Sequence, residues 1–161
     1  MRQSGRALRW IVNIMRENKI PFQVVGGLAA RAYGANRKLY DIDIYVPDRY
    51  MDKVINETRK FIVFGPERVR EKNWDLEFIK IMYAGQLIEI GSPEKTRIYD
   101  NVKKRWFMER VDFSKSRKME VMGVRIPLMP KRQLISRKRK LGRNVDKTDL
   151  KQMLHPKGRR P

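Results

Sequence analysis

The sequence predicts an α/β fold of the α+β kind, with one mixed β-sheet flanked by helices, on three observations. Short apolar runs of strand length alternate with segments whose apolar residues recur at helical spacing. Turn signals punctuate them at Gly26-Gly27, Pro47-Asp48, Ala84-Gly85 and Gly123. No internal repeat or interior linker divides the 161 residues, and a hydrophobic content of 41% suffices for one core.

Each element follows from its residues. Residues 7–18 read as a helix with Leu8, Ile11, Val12 and Met15 on one face, Ser4 as N-cap and Pro21 beyond the end. Residues 22–25, apolar apart from Gln23, form a central strand, Gly26-Gly27 a turn, and 28–33 a short helix. A second strand spans 40–46, and Pro47-Asp48 opens a helix to about 60 with Asp48 as N-cap. Residues 61–64 are a short strand, and the charged stretch 65–73 reads as a surface loop. Residues 74–83 and 86–90 make a hairpin, and Ser92-Pro93-Glu94 signals a helix over 93–105. A second hairpin pairs 119–122 with 124–128, followed by helices at 131–141 and 146–154. The expected organisation is one domain over 1–154 and a basic, flexible tail over 155–161.

Composition narrows the function. Cysteine is absent, which excludes disulfides and thiolate metal sites. No apolar run reaches the roughly 18 residues of a membrane span, and the basic N-terminus lacks a secretory pattern, so a cytoplasmic protein without membrane contact is expected. The chain carries 38 Lys and Arg against 18 Asp and Glu, a net charge of +20. Thermophile surfaces raise both signs together; here the acids do not keep pace, which favours a polyanionic partner, RNA or DNA.

The chemistry concentrates in Val24-Val25-Gly26-Gly27 and Asp41-Ile42-Asp43-Ile44. Alternate strand residues share a face, so Asp41 and Asp43 point the same way. Paired carboxylates repel unless a cation lies between them, and hard oxygen donors suit Mg²⁺ together with substrate phosphates. Two glycines ahead of a helix let the backbone approach a phosphate closely. A metal site beside a phosphate site points to nucleotidyl transfer.

These residues resemble the nucleotidyltransferase superfamily with the DNA polymerase β-like fold, in which an apolar residue and Gly-Gly or Gly-Ser precede an Asp-apolar-Asp pair. A second resemblance is to minimal and AbiEii-type nucleotidyltransferases. It rests on the apolar strand before Lys131, then Lys138, Gly142-Arg143, Asp146 and Asp149, with Arg37 four residues before Asp41. The resemblance implies that Gly26 and Gly27 hold the triphosphate of an NTP, while Asp41 and Asp43 bind Mg²⁺ in a two-metal site. Arg37 and Lys138 would contact the nucleotide, and Asp146 would complete or brace the site. Lys138 also lies in a run of four cations that could simply be solvated, and Asp149 reads as a surface residue. Leu39 departs from the Ser or Thr common in relatives.

A third carboxylate is expected on a neighbouring strand. Glu89 is the candidate, although the hairpin register also sets it opposite Lys80 as a cross-strand ion pair; Asp75 and Glu77 are alternatives. Trp74, Trp106 and Phe107 could stack bases or serve packing, and His155 is assigned no role. The leading expectation is a Mg²⁺-dependent enzyme moving NMP from an NTP to RNA, tRNA included. A partner protein, as in toxin–antitoxin pairs, and a small molecule are other acceptors. A non-catalytic RNA-binding module is the reading from a different class.

Overall fold

In the computed structural model, which describes residues 2–156, the strands assemble into one mixed sheet flanked by helices. The amphipathic first segment forms α1 (Arg2–Glu17), which buries Leu8, Ile11, Val12 and Met15. It starts earlier than expected. Ser4 lies inside it and does not cap; its hydroxyl donates to Gln86 Oε1 at 2.6 Å. Strand β1 (Gln23–Val25) leads into α2 (Gly26–Ala32), and β2 (Asp41–Tyr45) returns antiparallel to β1. The remaining strands are β3 (Ile62–Arg70), β4 (Trp74–Tyr83), β5 (Gln86–Asp100), β6 (Arg105–Met108), β7 (Arg117–Val121) and β8 (Val124–Leu128). Their order is β3-β4-β5-β2-β1-β8-β7, with β6 paired to β5. Strand β1 is central, as its apolar run implied. β2–β5 and β1–β8 are parallel pairs, and the rest are antiparallel.

Three expectations are corrected. The charged stretch after Phe64 is not a loop: β3 runs to Arg70 as an edge strand, where exposed Glu67, Arg68 and Arg70 discourage further strand pairing. The helix over 93–105 does not form. Instead β5 bulges, carrying residues 92–95 against Glu77 alone between the pairs Phe78↔Gly91 and Leu76↔Thr96. The Thr96 hydroxyl donates to the Ser92 carbonyl at 2.8 Å across the bulge. Alternation then resumes, with Thr96 and Ile98 buried between half-buried neighbours. Last, Asp48 caps nothing. A 3-10 turn (Asp48–Tyr50) precedes α3 (Met51–Thr58), a second 3-10 turn (Arg59–Phe61) follows, and the Asp48 carboxylate accepts from Ser92 at 3.3 Å.

At the C-terminal end α4 (Lys131–Leu141) stops at Gly142, whose φ of 61° suits glycine, and α5 (Asn144–Leu154) follows. Ile42, Ile44, Ile79, Ile81, Ile88 and Ile90 join the apolar face of α1 in the core. Most of the expected tail, residues 157–161, lies outside the described residues.

Candidate active site

Strand alternation builds the acidic side. Ile42 and Ile44 point into the core and fix β2, which turns Asp41 and Asp43 to the opposite face. The parallel register then sets Glu89 of β5 beside Asp43. Each of the three residues offers a carboxylate oxygen, and these atoms lie within 4.8 Å of one another. Burial, followed by repulsion from Asp41 and Glu89, pushes the Asp43 carboxyl up to about 7. Burial also raises Glu89, against the pull of Lys80. Glu89 lies with the acidic cluster and also meets Lys80 Nζ at 3.2 Å, the cross-strand pair that the hairpin register implied. The alternatives are used elsewhere. Asp75 is buried under Arg68 and Arg97 at 2.7 and 2.6 Å, and Glu77 pairs with Lys95 at 2.7 Å. A hard divalent cation fits a partly buried, all-oxygen donor set whose members repel one another.

The two glycines hold the backbone against this cluster. Gly26 has a φ of +62°, and a Cβ there would stand 1.8 Å from Asp43 Oδ2. A Cβ on Gly27 would stand 2.7 Å from a terminal nitrogen of Arg37. The Gly-Gly pair therefore sits between a carboxylate and a guanidinium, at the seam of the two sides.

The facing wall is cationic, and α4 and α5 build it. Leu134, Arg137, Lys138 and Leu141 are buried on one stripe of α4. Lys138 Nζ lies 3.2 Å from Asp146 Oδ1 and 2.8 Å from Asp149 Oδ2. Asp149 Oδ1 accepts from Arg37 Nε at 2.8 Å. The Asp146 carboxylate accepts from the Arg143 backbone N–H at 3.2 Å and from its Nε at 2.7 Å. Burial alone would raise Asp146; the hydrogen bonds and charges of Arg143 and Lys138 outweigh it and hold the carboxyl low. Two sequence readings change here. Lys138 is not a solvated member of a charge run, and Asp149 is fully buried rather than a surface residue.

Sequence reasoning missed a trio beneath this wall. Arg137 Nε is 2.8 Å from Glu109 Oε2, its NH2 group donates to Tyr45 Oη at 2.7 Å, and Tyr45 Oη donates to Glu109 at 3.2 Å. The signal was present: Arg137 falls three residues after Leu134 and four before Leu141, on the buried stripe.

A cavity of about 350 Å³ separates the two sides, and all eight expected site residues line it: Gly26, Gly27, Arg37, Asp41, Asp43, Glu89, Lys138 and Asp146. Trp74, Leu76 and Phe78 of β4 add an apolar wall. The Trp74 ring lies 5.2 Å from the Arg137 guanidinium and 5.5 Å from that of Arg143. Trp106 and Phe107 are not among the lining residues; they pack against Tyr99 and Lys140.

Comparison with known proteins places this geometry. Solved structures share the fold at low identity. A nucleotidyltransferase-type protein from Thermotoga maritima is 23% identical over 92% of this chain and 91% of its own, with a TM-score of 0.70. The lincosamide antibiotic adenylyltransferase LnuA, solved with lincomycin, is 15% identical over 93% and 96%, with a TM-score of 0.60. The antibiotic-resistance factor ANT(2'')-Ia is 12% identical over 94% and 80%, with a TM-score of 0.62. No curated protein sequence matches the chain. A family model described as "Nucleotidyl transferase of unknown function (DUF2204)" matches residues 4–158. With that match over nearly its whole length, the chain belongs to this family, within the polymerase β-like nucleotidyltransferase superfamily.

Proposed function

We propose that the protein is a Mg²⁺-dependent nucleotidyltransferase that moves NMP from an NTP to an RNA acceptor, tRNA included, in the cytoplasm. The observation that carries this reading is the Asp41–Asp43–Glu89 cluster facing a cationic wall across one cavity. Asp41, Asp43 and Glu89 would hold the Mg²⁺ ions. Such ions lower the barrier to in-line displacement by stabilising charge on the attacking and leaving oxygens. Arg37, held from behind by Asp149, presents its terminal nitrogens over Gly27, where a triphosphate would lie. Lys138, braced by Asp146 and Asp149, supplies fixed positive charge to the same phosphates. Trp74 offers the flat apolar surface on which a base can stack.

The acceptor is argued from charge. A net +20 serves a polyanion and is superfluous for a small, uncharged substrate. LnuA and ANT(2'')-Ia, whose names tie them to antibiotics, motivate small molecules as the second acceptor class to test. The test is incubation with α-labelled NTPs, Mg²⁺ and total RNA. Label should enter RNA with the wild type and not with Asp41→Ala; equal inertness of both would refute the RNA reading. A non-catalytic RNA-binding module would instead bind RNA without Mg²⁺-dependent NTP binding.

A further inference from the structure

A second concave surface lies outside the catalytic pocket, on α1. It is lined by Arg2, Arg6, Arg9 and Asn13 of the helix, with Trp10, Tyr83 and Met122. The three arginines recur at i, i+4 and i+7, and Arg16 continues the row at i+14, so one helix face carries a guanidinium about every 5.4 Å turn except at Asn13. All four are exposed, and among the described residues none forms a salt bridge. The one acid of α1 is Glu17, at its far end. The surface is rigidly backed. Trp10 stacks on Tyr83 at 4.1 Å with Phe61 against its edge at 5.0 Å, and Arg16 donates to the Arg125 carbonyl.

The first turn of α1 is tied to the sheet by hydrogen bonds. Ser4 of α1 donates to Gln86 Oε1 at 2.6 Å, and Gln86 Nε2 donates to the Tyr40 carbonyl at 2.9 Å. Tyr40 lines the catalytic cavity and directly precedes Asp41.

We infer that the arginine face of α1 is the track for the sugar–phosphate backbone of the RNA acceptor, read without regard to base sequence. A row of guanidiniums without carboxylate partners suits the phosphates of a nucleic-acid backbone. One feature favours RNA over an anionic membrane. The apolar face of α1 is spent in the core, leaving Leu8, Ile11, Val12 and Met15 unavailable for lipid insertion. The inference rests on the RNA-acceptor reading of the preceding section and assigns that acceptor a place.

The test is fluorescence anisotropy with a labelled RNA oligonucleotide of mixed sequence across a salt series. Arg2→Gln, Arg6→Gln and Arg9→Gln combined should weaken binding by tenfold or more and lower the slope of log K against log salt by about 2 to 3. Glutamine keeps comparable helix propensity at these exposed sites, and Arg6→Gln alone should lower the slope by about 1. Mg²⁺-dependent NTP binding, measured in parallel, reports on the pocket alone. RNA binding by the triple variant with the wild-type slope would overturn the α1 track and leave the RNA reading standing. Wild-type protein that ignores RNA would overturn both, as would arginine-dependent binding to phosphatidylserine vesicles in its place.

Discussion

The two walls of the candidate active-site cavity handle charge in opposite ways. On the sheet side Asp41, Asp43 and Glu89 crowd together, and only Glu89 meets a cation, the partly exposed Lys80. On the helix side Arg37, Arg137, Lys138 and Arg143 are each tied to a buried carboxylate. The first wall is left with charge that a bound cation relieves; the second is complete within the protein. One could hold a divalent cation, and the other keeps positive groups in fixed positions.

Breaking the acidic wall should produce the largest functional effect. Asp41→Asn or Asp43→Asn removes a carboxylate from the cluster, and the rate of label transfer should fall roughly 10³-fold, equivalent to about 4 kcal/mol of barrier. The same substitutions should leave the metal-free protein as stable as the wild type or more so, because repulsion is relieved.

Breaking the cationic wall should reverse that pattern. Asp149→Ala leaves the buried Lys138 with Asp146 alone and strips Arg37 of its carboxylate, and urea unfolding should show a loss of about 3 kcal/mol. Between the walls, Gly26→Ala forces a Cβ onto Asp43 Oδ2 at a positive φ. Activity should drop roughly 10²-fold through misplacement of the carboxylate, with the fold retained.

The pH dependence of stability separates the walls without mutation. The folded-state pKa of Asp43 is raised from 3.8 to about 7, so the metal-free folded protein holds this proton more tightly than the unfolded chain. The stability linked to it is fully present below pH 3.8, is lost as the pH rises, and is gone above about 7. Urea midpoints in EDTA should therefore decline across that window, and Mg²⁺ should flatten the decline. The smallest effect is expected from Lys80→Met, which removes a partly exposed partner of Glu89 and should change Mg²⁺ affinity by less than about 1 kcal/mol in calorimetry.

The acidic wall was legible in the sequence because strand alternation and hairpin register are local rules. Asp41 and Asp43 follow from period two, and Glu89 from its place in an apolar strand. The cationic wall was half-legible. Lys138 and Asp146 came from a resemblance, but the burial of Asp149 and the role of Arg137 depend on α4 and α5 packing over the cavity, which no local pattern dictates. Charge obscured the amphipathic stripe, since Arg137 and Lys138 occupy positions where apolar residues are looked for. The fold's main misreading had the same origin. Ser92-Pro93-Glu94 carries local helix-start chemistry, yet long-range pairing with β4 and β6 overrides it and turns the segment into a bulge within β5.

The most direct test of the central claim, that the two walls together bind a metal–triphosphate, is calorimetric titration with a non-hydrolysable NTP analogue. Binding should require Mg²⁺, vanish in EDTA and be lost in Asp41→Asn. Equal affinity with and without Mg²⁺, unchanged by Asp41→Asn, would contradict it.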